Sequence, residues 1–380
     1  MNTIQLHDLG QSLWLDNITR GLLTSGTLGR YIRELSVTGL TSNPTIFDQA
    51  IGNADFYDTA IREKSLAGKS GEDLFFELAL EDLTQAADLF LPVHKATAGV
   101  DGWVSLEVSP LLADNTAGTV DAALQLHAKA GTVDAALQLH AKAQRPNLFI
   151  KIPGNHAGTA AIEEAIFAGV PVNATLLFSR EHYLAAAEAY MRGIERRIAD
   201  GLDPVVGSVA SIFISRWDVA VKDKVPQALR NHLGIAIAKR TYKAYRELLA
   251  SKRWQTLAVA GAQPQRLLWA STGTKDASAQ DTLYIEALAA PDTINTMPEK
   301  TLLAFAAHGS VTGVLPTDGG DAEQVLAEFA RAGVDDGALA AQLQHEGAQS
   351  FAKSWNELIE RIASKSSALT QCQPGGAGSP

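Results

Sequence analysis

The stretch Pro146-Asn147-Leu148-Phe149-Ile150-Lys151-Ile152-Pro153-Gly154 is an apolar run of strand length with a single cation near its C-terminal end. Pro146 on one side and Pro153-Gly154 on the other are punctuation of a strand rather than a helix. Lysine is among the residue types least often buried, so Lys151 has two readings. It is a strand-end side chain that snorkels into solvent, or an amine held in a desolvated site where it can attack a carbonyl and form a Schiff base. The residues around it decide between them.

Outward from this strand, short strand-like runs alternate with amphipathic helical stretches, the pattern of successive βαβ units on a parallel sheet. Before it lie Ser12 to Leu15, ending at Asp16; Val37 to Leu40, ending in Thr41-Ser42-Asn43-Pro44; and Trp103 to Val108, closed by Ser109-Pro110. After it come Val170 to Leu177, Ser208 to Ile214, Arg266 to Ser271 and Leu283 to Leu288. Helices are expected over Ser25 to Glu34, Ile46 to Glu63, Gly71 to Phe90, Thr159 to Phe167 and Asn231 to Leu249. Eight strands separated by helices predict an α/β fold, a closed (β/α)8 TIM barrel in one domain. An open doubly wound sheet is the alternative, but no Gly-rich turn follows the first strand as a dinucleotide fold requires. Further helices are expected over Glu299 to Ala307, Asp321 to Ala332 and Gly337 to Ala363, packed outside the barrel or partly over its mouth. The barrel domain is thus placed at residues 1–363, and Ser364 to Pro380, small and polar with a Gly/Pro-rich end, reads as a disordered tail.

Composition excludes several classes of protein. With 46% hydrophobic and 19% charged residues in 380, the chain can bury a large core. No apolar run approaches the ~18 residues of a membrane span, and Met1 to Leu13 lacks the basic-then-apolar order of a signal peptide. The only cysteine, Cys372, excludes an internal disulfide framework. A cytoplasmic location is expected. A net charge of −10 and the lack of a basic run argue against a nucleic-acid partner, and no membrane partner is expected. The sequence leaves a homo-oligomer open.

One feature departs from ordinary sequence. Residues 118–130, GTVDAALQLHAKA, are repeated without change at 131–143. Solenoid repeats are longer and drift, so this is a recent or engineered tandem insertion. Thirteen residues at about 100° each leave a remainder of roughly 220°, so one continuous helix would turn the second copy's apolar face away from the surface the first covers. One copy is therefore expected to pack as the crossover helix while the other loops out or extends as a poorly packed helix. The repeat also duplicates a histidine, His127 and His140, without functional meaning.

In a barrel of this kind the reacting groups sit at the C-terminal strand ends. Those ends carry Asp16, Asn43, Glu107, Lys151, Asn173 and Thr175, Ser211, and Ser271. Singly, Asp16 could cap a helix, Asn43 before Pro44 could be a turn and Ser211 could satisfy its own backbone. Glu107, between Leu106 and Val108, is harder to dismiss because an unpaired buried carboxylate is costly. As a set they fit covalent chemistry on a carbonyl. Lys151 is the nucleophile and Glu107, one strand away, the acid/base for forming and dehydrating a carbinolamine. Asp16 is the second carboxylate, available to take a hydroxyl proton during carbon–carbon cleavage. Asn43, Asn173, Thr175 and Ser211 suit a polyhydroxylated substrate, and Arg216 and Lys275 could hold a phosphate.

Competing motifs fail. Gly68-Lys69-Ser70 has Glu63 where a nucleotide loop needs Gly. The nine histidines form no His-x-His or His-Glu-x-x-His pattern, so a metal site is not expected, and no Gly-x-Ser-x-Gly elbow is present.

Seven segments, GLTSNPTIF (39–47), SLEVSP (105–110), NLFIKIPG (147–154), VNATLLFS (172–179), SVASIFISRWD (208–218), LLWASTGTKD (267–276) and NTMP (295–298), stand in an order that resembles the transaldolase family, most closely its longer bacterial form. The resemblance spans about Leu6 to Ile362. It implies a cofactor-free transferase of aldehyde and ketone residues working through a lysine Schiff base in the non-oxidative pentose phosphate pathway. The family moves a dihydroxyacetone unit from sedoheptulose 7-phosphate to glyceraldehyde 3-phosphate, giving erythrose 4-phosphate and fructose 6-phosphate. By motif, Lys151 is the Schiff-base nucleophile, Glu107 the acid/base acting through a water held by Thr175, and Asp16 the group that handles the proton in cleavage. Asn43 and Asn173 hold the three-carbon unit, Ser211 and Arg216 lie on the phosphate side, and Ser271 belongs with them. Where the family carries a phosphate-side arginine after strand seven, this chain has Ser271-Thr272-Gly273-Thr274-Lys275, so Lys275 takes that place. Two other readings stay open from sequence: an aldolase of the same fold that releases dihydroxyacetone to water, and an inactive barrel kept for binding.

Limited proteolysis is expected to cut between Ala113 and Arg145 before any other internal site. A version lacking residues 131–143 is expected to melt at or above the temperature of the full chain.

Overall fold

Strands whose two faces are both buried can close on themselves, and nearly every strand residue here is buried on both faces. In the computed structural model, which describes residues 2–132 and 145–371, these strands are β1 (Ser12–Asp16), β2 (Val37–Thr41), β3 (Trp103–Glu107), β4 (Leu148–Pro153), β5 (Val172–Leu177), β6 (Ser208–Phe213), β7 (Arg266–Ala270) and β8 (Ile294–Met297). They pair in parallel in chain order, and β8 returns to β1 to complete an eight-stranded barrel. The expected (β/α)8 TIM barrel is what the chain adopts.

Alternation along each strand divides the core in two. Residues such as Leu13, Leu40, Val104, Ile150, Val172 and Leu267 face outward into the layer between barrel and helices. Trp14, Trp103, Phe149, Val209, Leu268 and Ile294 belong to a second cluster that fills the barrel. Inside, Trp103 stacks on Phe149 with ring centroids 4.0 Å apart, and Trp14 lies 6.2 Å from Phe149. The N-terminal end of the barrel is closed by Arg266, which donates to Ser12 Oγ (2.7 Å) and Thr293 O (3.0 Å). The aromatic rings separate this polar end from the polar side chains at the C-terminal mouth.

The connecting helices are α1 (Asn2–Asp8), α2 (Arg20–Thr24), α3 (Thr27–Glu34), α4 (Pro44–Gly52), α5 (Asp58–Leu66), α6 (Gly71–Ala96), α7 (Thr116–Thr132), α8 (His156–Phe167), α9 (Arg180–Ala199), α10 (Ser215–Val221), α11 (Leu233–Ala250) and α12 (Lys252–Val259). After them come α13 (Leu283–Ala287), α14 (Glu299–His308), α15 (Ala322–Arg331) and α16 (Asp336–Gln371). Helix α16 crosses the mouth. Its Gln344 donates to Gly154 O (3.2 Å) and Leu176 O (3.0 Å) at the ends of β4 and β5. Its Trp355 donates to Glu72 Oε1 (2.8 Å), which also accepts from Ser109 beyond β3 (3.0 Å).

Four expectations change. The eighth strand is not Leu283 to Leu288 but Ile294–Met297. Tyr284, Ile285 and Leu288 are buried, a spacing that suits one helical face, and this segment is the short α13. The true strand holds only four residues, of which Asn295 and Thr296 are polar, so a count of apolar runs passes over it. The helix expected over Ser25 to Glu34 starts two residues later, as α3 after Gly26 at φ 75°, and the short α2 precedes it. The 46–63 helix is two, α4 and α5. Finally, α16 continues past residue 363 to Gln371, with Lys365 donating to Ala54 O (2.8 Å); residues 372–380 lie outside the described residues. Of the repeat, the first copy forms most of α7, with Ala123 and Leu126 buried, while the second copy beyond Thr132 lies outside the described residues.

Gly39 on β2 is a packing requirement. A methyl group there would sit 2.5 Å from the Trp14 indole, inside contact distance. Gly39→Ala is expected to cost about 1–3 kcal/mol through overpacking, read as a lowered Tm, whereas Gly313→Ala, which faces open space, leaves the melt unchanged.

Candidate active site

The register of the barrel lines up the charged residues. Glu107 pairs across β3/β4 with Lys151, and Lys151 pairs across β4/β5 with Asn173, so three inward side chains lie in one row. Lys151 is 5% exposed and Glu107 3%. Lys151 Nζ donates to Glu107 Oε2 (3.3 Å) and to the backbone oxygen of Ser42 (3.0 Å). The snorkelling reading of Lys151 is therefore excluded. Burial pushes the Glu107 carboxyl above its ordinary range; Lys151 pulls it back and Asp16 adds to the rise. Asp16, at the end of β1, is likewise pushed up by burial and opposed by Lys151, by the hydrogen bond from Thr41 and by Lys275.

β5 supplies two residues on the same face. Asn173 is fully buried with its amide orientation fixed: Ser211 Oγ donates to its Oδ1 (2.6 Å) and its Nδ2 donates to Ser105 Oγ (3.2 Å). Thr175 Oγ1 and Glu107 Oε1 are buried and make no hydrogen bond among the described residues. Glu107 shares the row of Lys151 and Thr175 lies one inward step beyond it. Just after Thr175 the register with β6 shifts, and Leu176 takes φ 58°, a strained value for a bulky residue. Pairing resumes beyond the irregularity at Leu177 opposite Ile212, and Gln344 of α16 donates to the Leu176 carbonyl (3.0 Å).

The remaining expected residues fall into two groups. Asn43 caps α4, its Oδ1 accepting from Ile46 N (3.0 Å), and lines a narrow crevice with Glu107 and Trp355. Arg216, Ser271 and Lys275 line a separate cavity of about 850 Å³ beside the row, under Glu346 of α16. Arg216 lies over the Phe213 ring at 5.6 Å; burial lowers its pKa and Glu346 opposes this. Ser271 has φ 56° and its Oγ meets Ser215 Oγ at 3.0 Å. Lys275 is exposed at the cavity edge. The structure thus gathers Asp16, Glu107, Lys151, Asn173, Thr175 and Ser211 at the barrel mouth and sets Arg216, Ser271 and Lys275 in the adjoining cavity.

Four participants escape a reading of strand ends. Ser105 lies two residues before Glu107 and so on the same face of β3. Thr41 of β2 donates to Asp16, Thr296 of β8 meets Thr41, and Ser42 contributes only its backbone oxygen. Period-two alternation counted back from Glu107 would have found Ser105. Nothing in the spacing marks Thr296, since its strand was misplaced.

This arrangement offers an amine, two carboxyls with raised pKa, hydrogen-bonding groups for hydroxyls and a further cavity whose lining includes Arg216 and Lys275. Comparison with known proteins agrees with it. A family model described as transaldolase/fructose-6-phosphate aldolase matches residues 13–362. The transaldolase of Arthrobacter sp. (strain FB24) is 43% identical over 366 residues, 94% of this chain and 95% of that one. That of Thermobifida fusca (strain YX) is 43% identical over 96% of this chain and 98% of its own. The transaldolase of Saccharopolyspora erythraea is 42% identical over 95% and 96%. With the whole barrel matched, and with the row of Glu107, Lys151 and Asn173 in register, the chain belongs to the transaldolase/fructose-6-phosphate aldolase family.

Proposed function

We propose that this chain is a transaldolase that carries a dihydroxyacetone unit on Lys151 from a ketose phosphate such as sedoheptulose 7-phosphate or fructose 6-phosphate to an aldose phosphate such as glyceraldehyde 3-phosphate or erythrose 4-phosphate. The observation that supports it most is the buried contact between Lys151 and Glu107. A lysine amine attacks only when unprotonated, and a neighbouring carboxylate can take its proton. The amine adds to the C2 carbonyl of the ketose. Glu107, now protonated, returns its proton to the C2 hydroxyl, which leaves as water, and the iminium forms. Thr175, whose buried hydroxyl has no partner among the described residues, holds the water through which these protons pass.

Asp16 then removes the C4 hydroxyl proton. The C3–C4 bond breaks, its electron pair flows into the iminium to give an enamine, and the aldehyde departs. Asn173 and Asn43 hold the three-carbon unit, with Ser211 fixing the Asn173 amide. Arg216, Ser271 and Lys275 receive the phosphate in the adjoining cavity. Addition of the enamine to the acceptor aldehyde retraces these steps, and hydrolysis frees Lys151. A cytoplasmic setting, with its pool of sugar phosphates, goes with this reading.

Borohydride added with fructose 6-phosphate is expected to fix a three-carbon adduct on Lys151 in the native protein. In Asp16→Asn, whose cleavage step is blocked, it should fix the whole ketose phosphate on the same lysine. Lys151→Ala that still transfers the unit would end the proposal, as would equal release of free dihydroxyacetone with and without acceptor.

Glu107→Gln is expected to slow transfer by about 10²–10⁴. Because the base form of Asp16 is lost as pH falls through a pKa that burial raises above the ordinary aspartate value, the native rate should drop on the acid side from a pH higher than that of an exposed aspartate, as stopped-flow cleavage against pH would record.

A further inference from the structure

Asp16 is reached by two hydroxyls in series. Thr41 Oγ1 donates to Asp16 Oδ1 at 2.8 Å, and Thr296 Oγ1 lies 2.7 Å from Thr41 Oγ1. Both threonines are 3% exposed, so no bulk water competes for either hydroxyl. A hydroxyl has one proton to give. When Asp16 is ionised it only accepts, so the Thr41 proton must point at it. Thr41 can then only accept from its other neighbour, which obliges Thr296 to donate. When Asp16 holds a proton it can donate to Thr41, and the two hydroxyls can reverse together. The direction of the pair is thus locked to the protonation state of Asp16.

Backbone geometry fixes the pair in place. Thr41 is the register partner of Asp16 across β1/β2, and Thr296 is the partner of Trp14 across β1/β8, one inward position below Asp16. The Thr296 carbonyl is held by Thr272 Oγ1 (2.9 Å), which limits rotation of that peptide. The charged groups facing Asp16 are Lys151 of β4, Glu107 of β3 and Lys275 after β7. On the α14 side, Glu299 accepts from Asn17 Nδ2 (3.1 Å) and Tyr31 Oη (2.6 Å). The two strands that flank β1 therefore contribute only hydroxyls to Asp16, and these are the groups able to follow a proton without adding charge.

We infer that Thr296 is a positioning residue for the cleavage step: through Thr41 it orients the proton donor that stabilises ionised Asp16, and the Thr296–Thr41 pair reverses when Asp16 takes the substrate proton. A chain of two hydroxyls strengthens the terminal donor, because each bond polarises the next. Removing the far hydroxyl therefore weakens the near bond although it touches neither substrate nor Asp16. The inference rests on the reading in which Asp16 moves the proton during carbon–carbon cleavage.

The test uses the full chain with fructose 6-phosphate in single-turnover cleavage across pH, for the native protein, Thr296→Val and Thr296→Ser. In Thr296→Val the acid limb should move to higher pH, with the rate at its low-pH end down by roughly threefold to tenfold, the size of a shift of half to one pKa unit. KM should hold, and Thr296→Ser should restore the native limb. The infrared carboxyl band that Asp16→Asn removes should titrate at higher pH in Thr296→Val than in the native protein. Coincident acid limbs and coincident carboxyl titrations, with only a lowered Tm, would overturn the inference and leave Thr296 a packing residue. Should the valine variant not fold, Thr296→Ala is carried through the same measurements. Undiminished cleavage by Asp16→Asn would instead overturn the role of Asp16, and the carboxyl titration would then decide the hydroxyl coupling by itself.

Discussion

Holding Lys151 and Glu107 together out of water is the constraint that the rest of the site answers to. Each charge taken alone into a barrel of aromatic and aliphatic side chains would carry a desolvation cost of several kcal/mol. The mutual contact at 3.3 Å and the Ser42 carbonyl at 3.0 Å offset part of that cost, and the raised pKa of Glu107 is what is left over. That residue of unfavourable burial is chemically useful. A carboxyl that holds its proton more readily than an exposed one keeps a larger share of its protonated form nearer neutral pH, available to expel hydroxide as water, and its conjugate base is a better acceptor for the lysine proton. Stability is given up at the point where reactivity is needed.

The barrel makes this burial possible by layering. Trp14, Trp103 and Phe149 form a floor, and Arg266 seals the end below it with hydrogen bonds to Ser12 and Thr293. Above the floor most inward positions near the mouth are polar, Pro153 and Phe213 excepted, and the polar atoms are tied to each other across strands: Ser211 to Asn173, Asn173 to Ser105, and Thr296 through Thr41 to Asp16. Such ties lock rotamers before substrate arrives, which is the form electrostatic preorganisation takes in a barrel. Helix α16 completes the enclosure. Gln344 grips the strand ends at Gly154 and Leu176, Trp355 is anchored on Glu72, and Glu346 looks onto the cavity that holds Arg216.

Much of this was legible in the residues because strand ends and barrel chemistry coincide. Asp16, Glu107, Lys151, Asn173, Thr175 and Ser211 stand out as polar interruptions of apolar runs, and the structure brings all six together. What was not legible has a physical cause in each case. An apolar run at Leu283 to Leu288 satisfies a strand template as well as a single helical turn, and only burial of Tyr284, Ile285 and Leu288 separates them. The four-residue β8 is too polar to be found by hydrophobicity, and with it went Thr296. Asn43 shows the reverse: its turn-forming role at the start of α4 is realised in the structure alongside its position beside Glu107. Side chains that act through another side chain leave no mark on spacing, because their partners come from strands far apart in the chain.

The tandem duplication sets the sharpest constraint on how Lys151 reaches its place. Extra residues in a βα connection lengthen a loop whose closure entropy grows only logarithmically, about 0.6 kcal/mol for each doubling. Register, in contrast, has a period of two, and a slip by one residue would turn Lys151 out of the barrel and bring Ile150 or Ile152 in. The entry of β4 is fixed independently of what precedes it. Arg145 pairs with Asp88 of α6 (2.9 Å), and the buried Asn147 amide donates to Ala87 O and Gly102 O, both at 2.8 Å. From that clamp Leu148 pairs with Val104, and Lys151 arrives opposite Glu107. Val120, Ala123 and Leu126 of the first copy supply the apolar face of α7, so the outer layer is filled before the second copy begins. Position in the barrel is thus set by the Asn147 clamp and by the alternation of β4 itself, not by the length of chain that leads to it.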